Sequence, residues 1–176
     1  QAALRVSTNT TAVRVLEALS PSVSYDFMTR NLGFTTLVNS DLNSAALGLG
    51  GLTYGVNTVE MAAAYSAFAN NGVYTRPRTY IEVRDNKGNL VLENKQESWV
   101  AMKESTAYSI NELLKGVVRS GTGTEAAFSG MTIAGKTGTT DDNRDRYFVG
   151  FSPYYCAAVW TGYESNDELS YGMGNG

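Results

Sequence analysis

The sequence predicts an α+β domain, an antiparallel β-sheet packed with helices. Three observations point there. Helical periodicity fills much of the chain before residue 121. Three strand-like segments come near the end, joined by connections too short for a parallel crossover, so they form an antiparallel meander. A composition of 43% hydrophobic and 18% charged residues over 176 positions belongs to a folded chain with a core. Helices first and strands last is the α+β order.

Residues 10–19 read as a short helix with Val13 and Leu16 on one side. Ser20 then serves as N-cap, and Pro21 takes the first position of the next helix. That helix carries Tyr25, Met28 and Leu32 and stops at Gly33. A loop follows, ending in Gly48-Leu49-Gly50-Gly51, read as a tight turn against the core. Asn57 and Glu60 resemble a capping box. The helix from Thr58 to Asn71 is Ala-rich and apolar nearly all round, which predicts burial, and Gly72 ends it. Residues 79–84 and 89–93 alternate apolar and polar around Asp85 to Asn89, a peripheral hairpin. Ile110, Leu113, Leu114, Val117 and Val118 mark an amphipathic helix closed by Gly121. The strands span Met131 to Thr139, Tyr147 to Phe151 and Tyr154 to Tyr163, with Ser152-Pro153 as the last turn. Trp99 and Trp160 read as packing residues, and Cys156 as a buried small hydrophobe.

Composition excludes several chemistries. Histidine is absent, so no Ser-His-Asp triad, Cys-His pair or histidine metal site exists within these residues. A single cysteine forbids an internal disulfide and a Cys-rich zinc site. The net charge of -3 gives no general pull toward nucleic acid. No apolar run is long enough to span a membrane, and no signal peptide opens the chain. The start at Gln1 without methionine and the Gly-rich end predict a piece of a longer protein. Asp141, Asp142 and Asp145 suggest a metal cluster only by composition; the interleaved Arg144 and Arg146 favour a solvated loop.

Two segments carry candidate chemistry. Gly130 to Thr137 satisfies the P-loop pattern G-x-x-x-x-G-K-[ST]. A P-loop needs a loop interior and a helix after the Lys-Thr pair. Here the interior, Met131-Thr132-Ile133-Ala134, reads as strand, and two carboxylates follow. The better reading is Lys136-Thr137-Gly138-Thr139 on an edge strand lining a cleft. A lysine cation attracts a carboxylate, adjacent hydroxyls hydrogen-bond it, and Gly138 lets an extended peptide approach the strand. The second segment is Ser7-Thr8-Asn9 before a helix, where helix capping is the competing explanation. Asn9-Thr10-Thr11 also matches a glycosylation acceptor pattern, attributed to chance.

Taken in order, Ser7-Thr8-Asn9 with Thr10 to Arg14, Thr58 to Tyr65, Phe68 to Tyr74, Gly121 to Thr124, Gly135 to Asp145, Phe148 to Pro153 and Val159 to Tyr163 resemble the transpeptidase domain of penicillin-binding proteins. The likeness runs from about Leu4 to Tyr163 and is greatest to the bifunctional, class A type. It implies a β-lactamase/transpeptidase-like fold lacking its N-terminal part, with residues 1–176 as the C-terminal portion of one domain. It implies a serine acyl-enzyme that cross-links peptidoglycan stem peptides ending in D-Ala-D-Ala and that binds β-lactams. The roles implied are catalytic for Ser7, Asn9 and Lys136, and substrate-binding for Thr137, Gly138 and Thr139. The family's S-x-x-K nucleophile motif has no match; Ser98 to Ala101 and Ser120 to Gly123 both lack the lysine. The family places it upstream of Ser7, so this segment alone is expected to be inactive. No cofactor, metal or nucleic acid is expected. The parent is expected at the extracytoplasmic face of the bacterial membrane, with this segment soluble. A non-catalytic module of the same fold is the alternative; a β-lactamase-like hydrolase would need a deacylating carboxylate, for which no motif is found.

Overall fold

The computed structural model describes residues 2–170. Its helices are α1 (Ala2–Arg5), α2 (Asn9–Leu19), α3 (Pro21–Asp26), α4 (Ser44–Leu49), α5 (Thr58–Ala69) and α6 (Glu104–Ser120). Its strands are β1 (Val73–Thr75), β2 (Glu82–Arg84), β3 (Leu90–Glu93), β4 (Ser98–Val100), β5 (Ala134–Thr139), β6 (Asp145–Phe151) and β7 (Cys156–Gly162).

The expected meander is present. β5, β6 and β7 form one antiparallel sheet in that order, with Lys136 opposite Val149 and Phe148 opposite Val159. Helices α5 and α6 pack on it. α5 is built from small residues, and Ala63, Ala64 and Ala67 are buried, which lets its backbone approach its neighbours closely. It serves two core clusters. Its alanines join Leu32, Phe34, Leu37, Tyr74 and Ala101, while Tyr65 and Phe68 join Leu114, Ala134 and Phe151 of α6 and the sheet. The periodic face of α6 is buried at Leu114, Val117 and Val118.

Local signals are partly overruled. The Asn57 side chain caps α5 by accepting from the Glu60 N–H at 2.8 Å. The Glu60 carboxylate does not complete the capping box; it takes the Thr35 hydroxyl at 2.5 Å. Ser20 holds the cap position before Pro21, yet its hydroxyl pairs with that of Ser22 at 2.9 Å. The helix bearing Met28 widens into a π turn over Phe27–Asn31, where the Thr29 hydroxyl donates back to the Tyr25 carbonyl at 2.9 Å. Gly48 and Leu49 belong to α4 rather than to a tight turn, because Asn43 caps that helix through the Ala46 N–H at 2.8 Å. The first strand of the meander begins at Ala134, three residues later than expected. Met131, Thr132 and Ile133 instead line a shallow groove along α6. Trp160 is 40% exposed, its indole N–H held by Asp145 at 2.9 Å, so it is no core residue. Cys156 is half-buried and donates to the Ala62 carbonyl at 3.2 Å.

The β2–β3 hairpin is exposed along both strands, as its pattern predicted. The pairing of β1 with β4 has no counterpart in the local pattern. It is held by Tyr74, 2% exposed, whose ring lies 4.6 Å from that of Trp99.

Candidate active site

Ser7 sits in the turn between α1 and α2, with a φ of +56°. Left-handed backbone is costly for a residue with a Cβ and concentrates at functional sites. The competing explanation for Ser7 was helix capping. Thr8, not Ser7, occupies the cap position of α2, and it makes no side-chain cap bond. The Ser7 hydroxyl instead accepts a hydrogen bond from the Lys136 ammonium at 2.8 Å, across 129 residues of chain.

Lys136 lies in the middle of β5 and donates a second bond to the Thr137 carbonyl at 2.7 Å. Burial disfavours the charged form and lowers its pKa from the ordinary lysine value. Asn9 opens α2 two residues beyond Ser7 and is exposed. The Thr137 hydroxyl meets the Thr122 hydroxyl at 2.6 Å. Thr139 ends β5 and is exposed.

Gly138 is not dictated by packing. Among the described residues a Cβ there would meet only the Tyr147 Cβ at 3.4 Å, an ordinary contact. Its missing side chain instead leaves the strand open to approach. Among the described residues β5 pairs only with β6, so its other edge offers backbone groups to an extended partner. The arrangement is an ammonium, a line of hydroxyls and an open strand edge, which suits binding a carboxylate and passing a proton between Lys136 and Ser7.

The P-loop alternative fails on this geometry. Lys136 and Thr137 are paired strand residues opposite Val149 and Phe148, and among the described residues only a single 3-10 turn (Asp141–Asn143) and two further strands follow them, not the α-helix a P-loop needs. No metal-holding cluster is found among the described residues. Asp142 instead pairs with Arg144 at 3.7 Å on a short turn.

Thr122 and Arg5 were missed as parts of this region. The Thr122 N–H donates to the Arg5 carbonyl at 3.2 Å, joining the end of α6 to α1 just before Ser7. Gly121-Thr122-Gly123 is legible in sequence as a turn. Nothing local to it indicates that it meets β5.

A family model described as the penicillin binding protein transpeptidase domain matches residues 1–171. The chain belongs to this family. It is 42% identical over 172 residues to penicillin-binding protein 1A of Clostridium acetobutylicum, covering 97% of this chain and 21% of that protein. It is 38% identical over 180 residues to penicillin-binding protein 1A/1B of Bacillus subtilis, covering 94% of this chain and 19% of that protein. The chain thus spans about a fifth of the length of these curated relatives. The crystal structure of the D,D-transpeptidase domain of a peptidoglycan glycosyltransferase from Eggerthella lenta superposes with a TM-score of 0.68 at 25% identity, over 90% of this chain and 46% of that one. Penicillin-binding protein 1A from Haemophilus influenzae superposes with a TM-score of 0.79 at 20% identity, over 97% of this chain and 31% of that one. The α+β fold is that of the penicillin-binding transpeptidases.

Proposed function

We propose that these residues form the C-terminal portion of the transpeptidase domain of a class A, bifunctional penicillin-binding protein at the extracytoplasmic face of the bacterial membrane. The parent cross-links stem peptides by serine acyl transfer, and its nucleophile lies on an S-x-x-K segment outside these 176 residues. The serine Oγ attacks the carbonyl of the penultimate D-Ala, the peptide C–N bond breaks, and the terminal D-Ala leaves with a proton on its amine. An amine from a neighbouring strand then attacks the ester, loses a proton and frees the serine. β-Lactams enter as donor mimics and stop at the ester.

In this reading Ser7 relays the proton to the leaving amine, and Lys136 holds Ser7 and supplies the positive field. Asn9 hydrogen-bonds the substrate amide and the motif lysine. Thr137 and Thr139 bind the terminal carboxylate at the strand that Gly138 leaves open, and the Thr139 N–H supplies half of the oxyanion hole. The observation that carries the reading is the 2.8 Å Ser7–Lys136 hydrogen bond. A capping serine and a solvated strand lysine have no reason to meet. The partial coverage of the Eggerthella lenta domain, 46%, supports placing these residues within a larger domain. So do the exposed Val15, Leu19 and Val159 on α2 and β7.

The decisive experiment is time-resolved penicillin labelling of the parent protein, read by intact mass. Lys136→Ala is expected to slow acylation roughly 10²–10³-fold, the usual loss for one electrostatic stabiliser. Cys156→Ser, away from the site, leaves the rate unchanged. Equal rates for wild type and Lys136→Ala would overturn the assignment.

A further inference from the structure

We propose that Thr122 is a positioning residue that aims the Thr137 hydroxyl at the carboxylate of the donor peptide or β-lactam. The proposal rests on reading the β5 wall as the carboxylate site.

Thr122 is held firmly by its backbone. Its N–H donates to the Arg5 carbonyl at 3.2 Å, and the next residue, Gly123, donates to the Val117 carbonyl at 3.2 Å. On its other side, a Cβ on Gly121 would collide with the Arg5 carbonyl oxygen, so only glycine lets the turn close on α1. Gly123 is buried, with Phe148 and Val117 within contact distance of where a Cβ would sit. The backbone of Thr122 is therefore anchored on both sides. Its β-branched side chain has few rotamers. The hydroxyl that results lies 2.6 Å from the Thr137 Oγ1.

Each hydroxyl carries one proton and accepts through its lone pairs. When Thr122 donates to Thr137, the Thr137 proton must point elsewhere, toward the open side of β5. A carboxylate arriving there accepts it. The charge-assisted bond then polarises the Thr122–Thr137 pair, strengthening both bonds. No covalent bond changes and no proton is gained or lost. Without the Thr122 hydroxyl, the Thr137 Oγ1 loses the partner that fixes its direction.

The test uses the parent protein and compares acylation by benzylpenicillin with acylation by its methyl ester, which lacks the carboxylate charge. Thr122→Val keeps the shape and removes the hydroxyl. It is expected to slow labelling by benzylpenicillin about tenfold, the upper end for one neutral hydrogen bond, through weaker binding rather than a slower maximal rate. With the methyl ester the loss is expected to stay below about twofold, and Thr122→Ser is expected to restore labelling. Combining Thr122→Val with Thr137→Val should be no worse than Thr137→Val alone, because Thr122 acts through that hydroxyl. Equal losses on acid and ester, or multiplied losses in the double variant, would show a merely structural role and overturn the proposal. No loss at all on benzylpenicillin overturns it too. If Thr122→Val misfolds by thermal melting, the comparison of Thr122→Ser with wild type on acid and ester decides; a loss of tenfold or more with both probes sinks the proposal. Lys136→Ala in the same assay reports separately on the carboxylate-site reading: if it labels normally, that reading has failed whatever Thr122 does.

Discussion

At the residue scale, Lys136 carries most of the functional argument. It is a cation placed where burial opposes its charge, held by the Ser7 hydroxyl and the Thr137 carbonyl. The sign of its pH effect follows. Burial lowers the pKa, so the ammonium persists below that lowered value and is lost as pH rises through it. Acylation of the parent is expected to fall on the alkaline side at a pH below the ~10.4 of a free lysine. Lys136→Arg keeps a charge at all working pH values, so the limb should vanish in that variant even if the overall rate drops. A pH–rate profile of both proteins checks this; an unchanged limb assigns it to another group. Cys156 presents the contrasting case. Burial pushes its thiol up to about 11. Its thiolate is scarce at neutral pH, so alkylation of the native chain should run slower than that of the unfolded chain, which a timed labelling of both checks.

At the element scale, two loops show how the scaffold around the site is fixed. Asp41 is buried and accepts from the Thr53 hydroxyl at 2.6 Å, the Thr53 N–H at 2.8 Å and the Val38 N–H at 3.0 Å. The Thr53 hydroxyl first, then the two N–H groups, hold its carboxyl below the usual range. A lowered folded pKa contributes stability above the unfolded pKa and loses it as pH falls through the folded one. Asp41→Asn should therefore lower the melting temperature at neutral pH, and its gap to wild type should narrow below about pH 4. Gly72 ends α5 at a φ of +86°, and a Cβ there would collide with the Met102 carbonyl. Its own carbonyl accepts from the Ala101 and Met102 N–H groups at 2.8 and 3.1 Å, which seats β4 beside β1. Gly72→Ala combines backbone strain with a clash, and denaturant titration should show a loss of at least about 2 kcal/mol.

At the scale of the whole molecule, the S-x-x-K pattern is absent from these 176 residues. The chain as it stands is expected to form no covalent adduct with penicillin by intact mass. Adding the preceding segment of the parent, as one chain or as a complementing fragment, should restore a single acyl adduct. A stoichiometric adduct on the present chain would refute the placement of the nucleophile elsewhere.

The fold class, the periodic face of α6, the buried alanine helix and the three-strand meander were legible in the sequence, because each rests on local periodicity and on turn residues that act within a few positions. The sequence also singled out Ser7 and Lys136 through the order of short motifs along the chain. The rest depended on contacts between residues distant in the chain. Whether Ser7 capped α2 or met Lys136 depended on a contact across 129 residues, beyond the reach of any local pattern. The β1–β4 pair is three residues long on each side, too short to show alternation, and exists because Tyr74 and Trp99 stack within the core. Glu60 left its cap because a threonine 25 residues away offered it a hydroxyl and an N–H. Thr122 reads in sequence as part of the turn after α6, with nothing local to place that turn against β5, since its partner lies on a strand that only the folded chain brings beside it.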